Sequence, residues 1–223
     1  MGAFSGASLF FNQPLPHIAR SYGYGEDNIL VLEGDLSGLK ERFPETYQNI
    51  LSCGHNADRR TPLDYARDLV ASWLIEDSFL ILFRQCGLSA ALSGTDRGRK
   101  ILSKARVSSS SDFSLSWQGQ TRKLELMNDY TGFWSRKHVL HLRDNKYQKL
   151  CEEKSLFLAV SIATREFALY DFRSAPKARY ISSHPAYGGK PAYELPIPDQ
   201  ILHPASSTNI SEAVRLCFSA PQE

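Results

Sequence analysis

The sequence lacks the features that would place the chain in several large protein classes. Its 223 residues include four cysteines, which form no CxxC or Cys/His zinc pattern and are most simply free thiols in a reducing compartment. No segment approaches the roughly 18 consecutive apolar residues of a membrane span, and no basic stretch followed by an apolar run opens the chain. We therefore expect an intracellular, cytoplasmic protein with no membrane partner.

An excess of one charge is also absent. The formal net charge is +2 at pH 7, from 26 Lys and Arg against 24 Asp and Glu, so bulk charge does not draw the chain to nucleic acid. A nucleic-acid surface would have to be a local patch, and solvated surface without a function is the alternative for any such patch. The basic residues that we select for nucleic-acid binding are Arg97, Arg99, Lys100, Lys123 and Lys190.

The composition that is present is that of an ordinary globular protein, with 42% hydrophobic and 22% charged residues. Thr61 and Pro62 are typical of a helix start, and the helix that follows is predicted to reach about residue 85. Residues 173–208 carry six of the eleven prolines and are predicted to be loop and turn. The other predicted elements are strands at 28–33 and 139–142, helices at 38–51, 144–154 and 210–218, and hairpins over 111–127 and 156–172.

The first hairpin is the most informative segment. Apolar and polar residues alternate over 112–117 and again over 123–127, as they do in half-buried strands. With a two-residue turn at 118–119, counting outward pairs Asp112 with Glu125. Their Cβ atoms would lie roughly 5 Å apart and the like charges would repel. A bound divalent cation explains such a pair better than stability does, because hard cations select carboxylate oxygens.

The register of this hairpin is open in the sequence. A three-residue turn at 118–120 would pair Asp112 with Leu126 and exchange the faces of one strand, because side chains alternate along a strand. An exposed hairpin edge with scattered charges is a further alternative. Glycine at the second turn position favours the two-residue form.

Glu76 and Lys146 are the next candidates. Glu76 lies on the apolar stripe of the predicted long helix, where a carboxylate must be paired, hydrogen-bonded or bound to a metal. The alternative is a glutamate at the edge of the stripe that pairs with a lysine or arginine. Lys146 shares a face of its predicted helix with Leu142 and Leu150, and a lysine near a metal site can position a water or stabilise developing charge.

A helix with an acid, a hairpin whose strands supply Asp and Glu, and a lysine downstream resemble the PD-(D/E)XK nuclease superfamily. Ser111-Asp112 stands where the family has Pro-Asp, and Glu125-Leu126-Met127 stands where it has (D/E)-X-K. The resemblance implies an α/β fold with a restriction-endonuclease-like core, in which a mixed central β-sheet is flanked by helices. We expect a single domain over 1–223, with this core at about 62–172, an N-terminal extension at 1–61 and a Pro-rich C-terminal extension at 173–223.

Met127 departs from the family pattern, since methionine neither carries charge nor donates a strong hydrogen bond. One explanation is that the lysine has moved. The cap-snatching endonucleases of segmented negative-strand RNA viruses, which resemble this superfamily, take it from the following helix, as Lys146 would here. Lys123, on the strand face of Glu125, is another candidate. The other explanation is that the site has lost its activity and only the fold remains.

The resemblance implies a Mg²⁺-dependent endonuclease that hydrolyses the phosphodiester bonds of nucleic acid. DNA is favoured over RNA as the substrate, and Mn²⁺ is expected to replace Mg²⁺. Asp112, Glu125 and Lys146 would be catalytic, and the two carboxylates with the carbonyl of Leu126 would hold the metal.

Two further acids have roles in this hypothesis. Glu76 would support a second metal or a bound water. Asp129, on the same strand face as Glu125, is a spare ligand, with a turn residue before Gly132 as the alternative. The competing hypotheses are a catalytically inactive nuclease fold that binds nucleic acid or a protein, and an interaction module without a nucleic-acid role. The sequence leaves homodimerisation open.

Overall fold

The computed structural model of the protein describes residues 13–53, 61–93, 97–103 and 111–219. The chain forms two compact units. Of the described residues, the helical unit comprises 13–53, 61–79, 93 and 97–103, and the sheet unit comprises 80–92 and 111–219. Both of the sheets found in the described residues belong to the sheet unit.

The helical unit is built around one apolar core. Its described helices are α1 (Leu15–Ser21), α2 (Glu26–Glu33), α3 (Leu36–Arg42), α4 (Pro44–Ser52) and the larger part of α5 (Pro62–Gln85). The helix α5 has the predicted start, because Thr61 Oγ1 accepts a hydrogen bond from the Asp64 N–H at 3.1 Å. The core is filled by fully buried side chains, the largest of which are Ile29, Leu39, Ile50, Trp73 and Leu74.

The strand that we predict at 28–33 is wrong, because this segment belongs to the helix α2. Every residue from Asn28 to Leu32 is buried, so the middle of the helix shows no alternation of apolar and polar faces in its sequence. A short apolar run of this kind does not distinguish a buried strand from a buried helix.

The predicted helix at 38–51 is divided into α3 and α4. Asp35 caps α3 as expected, since its Oδ1 accepts a hydrogen bond from the Gly38 N–H at 2.8 Å. The division falls at Phe43, whose backbone is extended at φ −135° because Pro44 follows it. Pro44 in turn is well suited to the first position of α4.

The sheet unit contains a mixed six-stranded sheet, which confirms the predicted class at the level of α/β with a mixed sheet flanked by helices. Its strands lie in the order β1-β2-β3-β5-β6-β9, and only β3 and β5 are parallel neighbours. Their bounds are β1 Ser89–Leu92, β2 Phe113–Trp117, β3 Gln120–Asp129, β5 Leu156–Ser161, β6 Glu166–Asp171 and β9 Leu202–Pro204. The chain from β3 to β5 passes through α6 (Phe133–Lys137), β4 (Val139–Arg143) and α7 (Asp144–Glu152).

A second, three-stranded sheet has the order β4-β8-β7, where β7 is Arg179–His184 and β8 is Lys190–Pro196. The prediction of loop and turn over 173–208 is therefore wrong for β7, β8 and β9. Prolines fit here because they lie at irregular or terminal positions: Pro191 is beside a register shift, and Pro196 ends β8. The predicted C-terminal helix is present as α8 (Ser207–Ser219).

The first hairpin has the two-residue register. Trp117 pairs with Gln120 and Phe113 pairs with Leu124, so Gln118 and Gly119 form the turn. Both turn residues have positive φ, 48° and 80°, as the hairpin turn that matches strand twist requires. Continuing the count by one residue sets Asp112 opposite Glu125, and the three-residue alternative is excluded.

The two faces of the six-stranded sheet pack differently. On one face Phe113 meets Phe83 edge-to-face, with ring centroids 5.6 Å apart. The other face packs against α7 through a cluster that includes Trp134, Leu142, Leu150 and Phe157. Among the helices of residues 13–53, 61–93 and 111–219, none combines the length and apolar character needed to cross a membrane.

Candidate functional site

The carboxylate–lysine site consists of Asp112, Glu125 and Lys146 in the sheet unit. Asp112 Oδ2 accepts a hydrogen bond of 2.7 Å from the N–H of Leu126, which joins the start of the hairpin to the residue after Glu125. Lys146 Nζ donates a hydrogen bond to Glu125 Oε1 and forms an ion pair with it. The structure thus brings together the three residues that we predict to be catalytic.

Alternation along β3 determines where Glu125 points. Glu125 and Met127 share one face of the strand, and Met127 packs against the apolar cluster under α7. Lys146 lies one helical turn before Leu150, which is 2% exposed and anchors α7 to the same cluster. Lys146 thus shares its helix face with Leu150, as the spacing predicts, whereas Leu142 belongs to β4 and not to this helix.

Within this site the carboxylate of Glu125 is buried, whereas the Lys146 side chain is partly exposed to solvent. The Glu125 side chain is 9% exposed, whereas the Lys146 side chain is 33% exposed. An isolated carboxylate at this depth would be costly, and the ammonium of Lys146 compensates for its burial. A ligand from solvent would meet the lysine end of this pair.

Lys123, the other candidate lysine, serves a different acid. Its Nζ donates to Glu153 Oε1 at 2.7 Å, and Ser111 Oγ donates to Glu153 Oε2 at 2.9 Å. Burial raises the pKa of the Glu153 carboxyl, but the hydrogen bonds from Lys123 and Ser111 outweigh burial and leave this pKa below its ordinary value. The sequence reasoning missed Glu153 because its partners lie far away along the chain.

The carboxylates that a hard divalent cation could use here are those of Asp112 and Glu125. Asp112 and Glu125 offer carboxylate oxygens, and Mg²⁺ is commonly held by one or two carboxylates while it keeps several waters. In the part of the chain that the structure describes, no group of three or more His, Cys, Asp or Glu residues could hold a metal ion. A cation at this site would therefore rely on two carboxylates and on backbone or water oxygens.

Glu76 is engaged within the helical unit. Its Oε2 accepts a hydrogen bond of 2.6 Å from Arg99 Nη1, and Asp77 Oδ1 accepts one of 2.6 Å from Arg99 Nη2. This is the alternative that the sequence offers for Glu76, a pair with a basic residue. A metal would have to displace the guanidinium, so we do not assign a metal-supporting role to Glu76.

Arg99 is not placed to bind a phosphate. Its side chain is 12% exposed, and the guanidinium also lies over the ring of Trp73, 5.8 Å from the centroid. We correct its assignment to nucleic-acid binding on this ground. Arg97, Lys100 and Lys190 are exposed, and their proposed contacts with nucleic acid stay predictions.

Asp129 is a turn residue rather than a spare ligand. Its Oδ1 accepts hydrogen bonds from the N–H and the hydroxyl of Thr131, at 2.7 and 2.6 Å. An aspartate that bonds to the backbone two residues ahead is typical of a tight turn. The turn leads into Gly132 and α6, as the alternative interpretation predicts.

A second polar cluster escaped the sequence reasoning altogether. His141 Nε2 lies 3.2 Å from Glu194 Oε2, and its ring lies 4.4 Å from that of His184, centroid to centroid. Burial and the neighbouring His141 lower the pKa of His184, and Glu194 partly offsets this. The signal was Glu194 between the apolar Tyr193 and Leu195 of β8, which the surrounding prolines obscured.

No family model matches this chain, and no curated protein does. The resemblance to the PD-(D/E)XK superfamily therefore stays a prediction. Its support comes from the residues of the site and from the order of the elements that carry them.

Proposed function

We propose that the chain is a divalent-metal-dependent endonuclease that hydrolyses phosphodiester bonds of nucleic acid, with DNA as the favoured substrate. Asp112, Glu125 and Lys146 form the proposed active site. The observation that carries the proposal is the contact between Lys146 and Glu125. It supplies a lysine to the second carboxylate even though Met127 stands at the lysine position of the motif.

The element order gives further support. The chain runs from the helix α5 through β1 and the β2–β3 hairpin to α7 and β5. The hairpin carries both carboxylates, and the next long connection, between the parallel strands β3 and β5, carries the lysine. This is the order that the resemblance implies: a helix, a hairpin with Asp and Glu, then a helix and further strands.

The residues of the site have separable roles in this proposal. Asp112, Glu125 and the carbonyl of Leu126 would hold Mg²⁺ or Mn²⁺. A divalent cation bound there would lower the pKa of an attacking water and stabilise the leaving oxygen. The hydrogen bond from Leu126 fixes the orientation of Asp112, which favours a preorganised ligand.

Lys146 would act as a fixed donor to the substrate. Its Nζ has to leave Glu125 before Glu125 Oε1 can act as a ligand. The released ammonium would then point to the open side of the site, where it could donate to a phosphoryl oxygen or position a water. Met127 takes no part in this scheme, because its side chain packs in the apolar cluster.

The test is cleavage of plasmid DNA, single-stranded DNA and RNA by the full chain in Mg²⁺, in Mn²⁺ and in EDTA. We expect cleavage that EDTA abolishes and that Asp112→Asn and Glu125→Gln both lose. Glu152→Gln, an exposed acid on the same helix as Lys146, is the matched control and should cleave normally.

Two results would contradict the proposal. Full cleavage activity in both carboxylate variants would show that Asp112 and Glu125 are not the active site. Full activity in EDTA would show that cleavage needs no divalent metal. Binding of nucleic acid without cleavage under any divalent cation would favour the competing hypothesis of an inactive nuclease fold.

A further inference from the structure

The three-stranded sheet has one face turned away from the protein core. Side chains alternate across β4, so that Leu140 and Leu142 enter the apolar cluster under α7 while His141 lies on the opposite side. His141 is paired with Glu194 of β8, and Glu194 with Arg179 of β7, so these three residues share the same side. We call this side the outer face.

Four aromatic rings form a continuous row on the outer face. Ring centroids are 6.3 Å apart between Phe133 and His141, 4.4 Å between His141 and His184, and 4.9 Å between His184 and Tyr187. We call these four residues the ring row. They come from α6, β4, β7 and the turn after β7, so the row exists only in the folded protein.

A hydrogen bond between two residues of the ring row holds the row in place. The Tyr187 hydroxyl donates a hydrogen bond of 2.6 Å to the carbonyl oxygen of His141. Phe133 at the other end is 48% exposed, so this ring is open to solvent. The row is thus ordered, and it is accessible at its Phe133 end, since the rings of His141, His184 and Tyr187 are partly buried.

Positive charge borders the ring row. The Arg143 guanidinium lies over the ring of Tyr187, 5.3 Å from its centroid, and Lys190 is paired with His184 across the β7–β8 hairpin. Both cations are exposed. The acid on this face, Glu194, is compensated, because Arg179 donates two hydrogen bonds of 2.9 Å to it.

An ordered row of rings bordered by cations matches the chemistry of a single nucleic-acid strand. Unpaired bases stack on aromatic side chains, and their phosphates bind lysine and arginine. A duplex keeps the faces of its bases inside its own stack and cannot use the rings in this way. The two exposed cations beside the rings favour the phosphates of a nucleic acid over a protein as the partner.

We propose that the outer face binds single-stranded nucleic acid, with a base on the exposed ring of Phe133 and phosphates at Arg143 and Lys190. The choice of ligand rests on the proposed function, and the inference defines its substrate class further. Arg143 ends the strand that leads directly into α7, the helix that carries Lys146. A nucleic-acid strand bound on the outer face would therefore contact Arg143, which immediately precedes the helix that supplies Lys146.

The experiment is fluorescence anisotropy with the full chain in EDTA, where cleavage is suppressed. The probes are labelled oligo-dT, oligo-rU and a duplex, each of about 16 nucleotides per strand. We expect the single strands to bind at least about tenfold more tightly than the duplex, and the dT and rU probes to show whether DNA or RNA is preferred. Phe133→Ala and Arg143→Glu should each weaken single-strand binding about tenfold.

Two controls match these variants. Tyr180→Ala removes an equally exposed ring from β7 that packs on Tyr193, away from the outer face. Lys40→Glu reverses an exposed charge in the helical unit. Both should bind single strands normally, and Arg143→Glu alone should reduce the dependence of binding on salt.

Equal affinity for duplex and single strand, or normal binding by Phe133→Ala and Arg143→Glu, would overturn the inference. The result is separable from the proposed endonuclease activity. If binding depends on the ring row and no cleavage is seen, the outer face is a nucleic-acid-binding surface and the proposed endonuclease activity is wrong. If cleavage depends on Glu125 but binding is unaffected by Phe133→Ala and Arg143→Glu, only the inference about the outer face is wrong.

Discussion

Asp112 is hydrogen-bonded through Oδ2 to the backbone N–H of Leu126, at 2.7 Å. The carboxylate at the start of the hairpin is thereby attached to the peptide that follows Glu125. The negative charges of Asp112 and Glu125 would repel each other if nothing else contacted them. Asp112 accepts a hydrogen bond from the Leu126 N–H, and Glu125 accepts one from Lys146. Each carboxylate therefore has a hydrogen-bond donor from the protein itself.

This hydrogen bond allows the structural and chemical roles of Asp112 to be separated. Asp112→Asn keeps an oxygen that can accept from Leu126, so its free energy of unfolding should stay close to that of the wild type. Asp112→Ala leaves the N–H without this acceptor and should lose about 1–3 kcal/mol. Both variants should lose cleavage, because the charge is gone. Urea denaturation and plasmid cleavage measure the two effects, and a fully active Asp112→Asn would contradict the assignment.

Lys146→Met should separate metal binding from cleavage. The substitution removes the ammonium that competes for Glu125, so Mn²⁺ should bind more tightly in calorimetry than it does to the wild type. Cleavage should nevertheless fall by at least about 100-fold, since a positioned donor is lost. Lys149→Met, on the same helix, is the control and should change neither. Weaker Mn²⁺ binding by Lys146→Met would argue that the lysine does not compete at this carboxylate.

Restoring the family motif should harm the protein. Met127 packs against the cluster of Trp134, Leu142 and Phe157, and Met127→Lys would bring a charge into it. We expect the free energy of unfolding to fall by at least about 2 kcal/mol, with no gain in cleavage. Met127→Leu keeps the volume and should cost less than about 1.5 kcal/mol. Increased cleavage by a stable Met127→Lys would show that the motif position is still the functional one.

Arg99 should prove to be a structural residue of the helical unit. Arg99→Met leaves Glu76 and Asp77, whose side chains are 13% and 19% exposed, without their shared cation. We expect a loss of about 3 kcal/mol in unfolding free energy. Glu76→Gln should be milder, and its cleavage per folded molecule should equal that of the wild type. If folded Glu76→Gln fails to cleave, the glutamate belongs to the active site after all.

Asp171 should make the protein sensitive to acid. Burial would raise the pKa of its carboxyl, but hydrogen bonds from Arg122 and Arg173 outweigh burial and lower it from 3.8 to about 2. The folded state therefore holds the proton less tightly than the unfolded state. The stabilisation is complete above about pH 4 and disappears as the pH falls to about 2. Urea midpoints from pH 2 to 6 should show this loss.

Two variants check the origin of that acid sensitivity. Asp171→Asn should be less stable at neutral pH and should lose less of its stability below pH 4. Asp199→Asn replaces an aspartate that is 87% exposed and should follow the wild-type profile. Identical profiles for Asp171→Asn and the wild type would assign the acid sensitivity to other groups.

Local patterns in the sequence were sufficient for the parts of the site that depend on neighbouring residues. The hairpin register follows from Gly119 and the alternation on either side of it, and the helix α5 follows from its cap. The orientation of Lys146 follows from its spacing to Leu150 in the same helix, whereas Leu142 proves to lie in β4. Each of these is decided by one turn of helix, one turn of hairpin or one strand period.

The errors arise where distant segments decide the outcome. The segment at 28–33 is helical although its apolar run from 29 to 32 would suit a buried strand equally well, and packing within the helical core decides between the two. Glu76 is neutralised by Arg99, which lies 23 residues away along the chain. The strands β7 and β8 depend on pairing with β4, and their prolines suggested a loop. Long-range partners of this kind are not encoded in any local period.

The strand β4 lies at the edge of the second sheet, where it pairs with β8. This pairing has a consequence for the order of events during synthesis, because the ribosome delivers the chain from its N-terminus. The hairpin and its two carboxylates can assemble as soon as residues 111–129 emerge. The segment that bears Lys146 gains its strand partner only when residues 190–196 have been made. Whatever chemistry the lysine performs therefore begins only after residues 190–196 have been translated, well after the two carboxylates have been brought together.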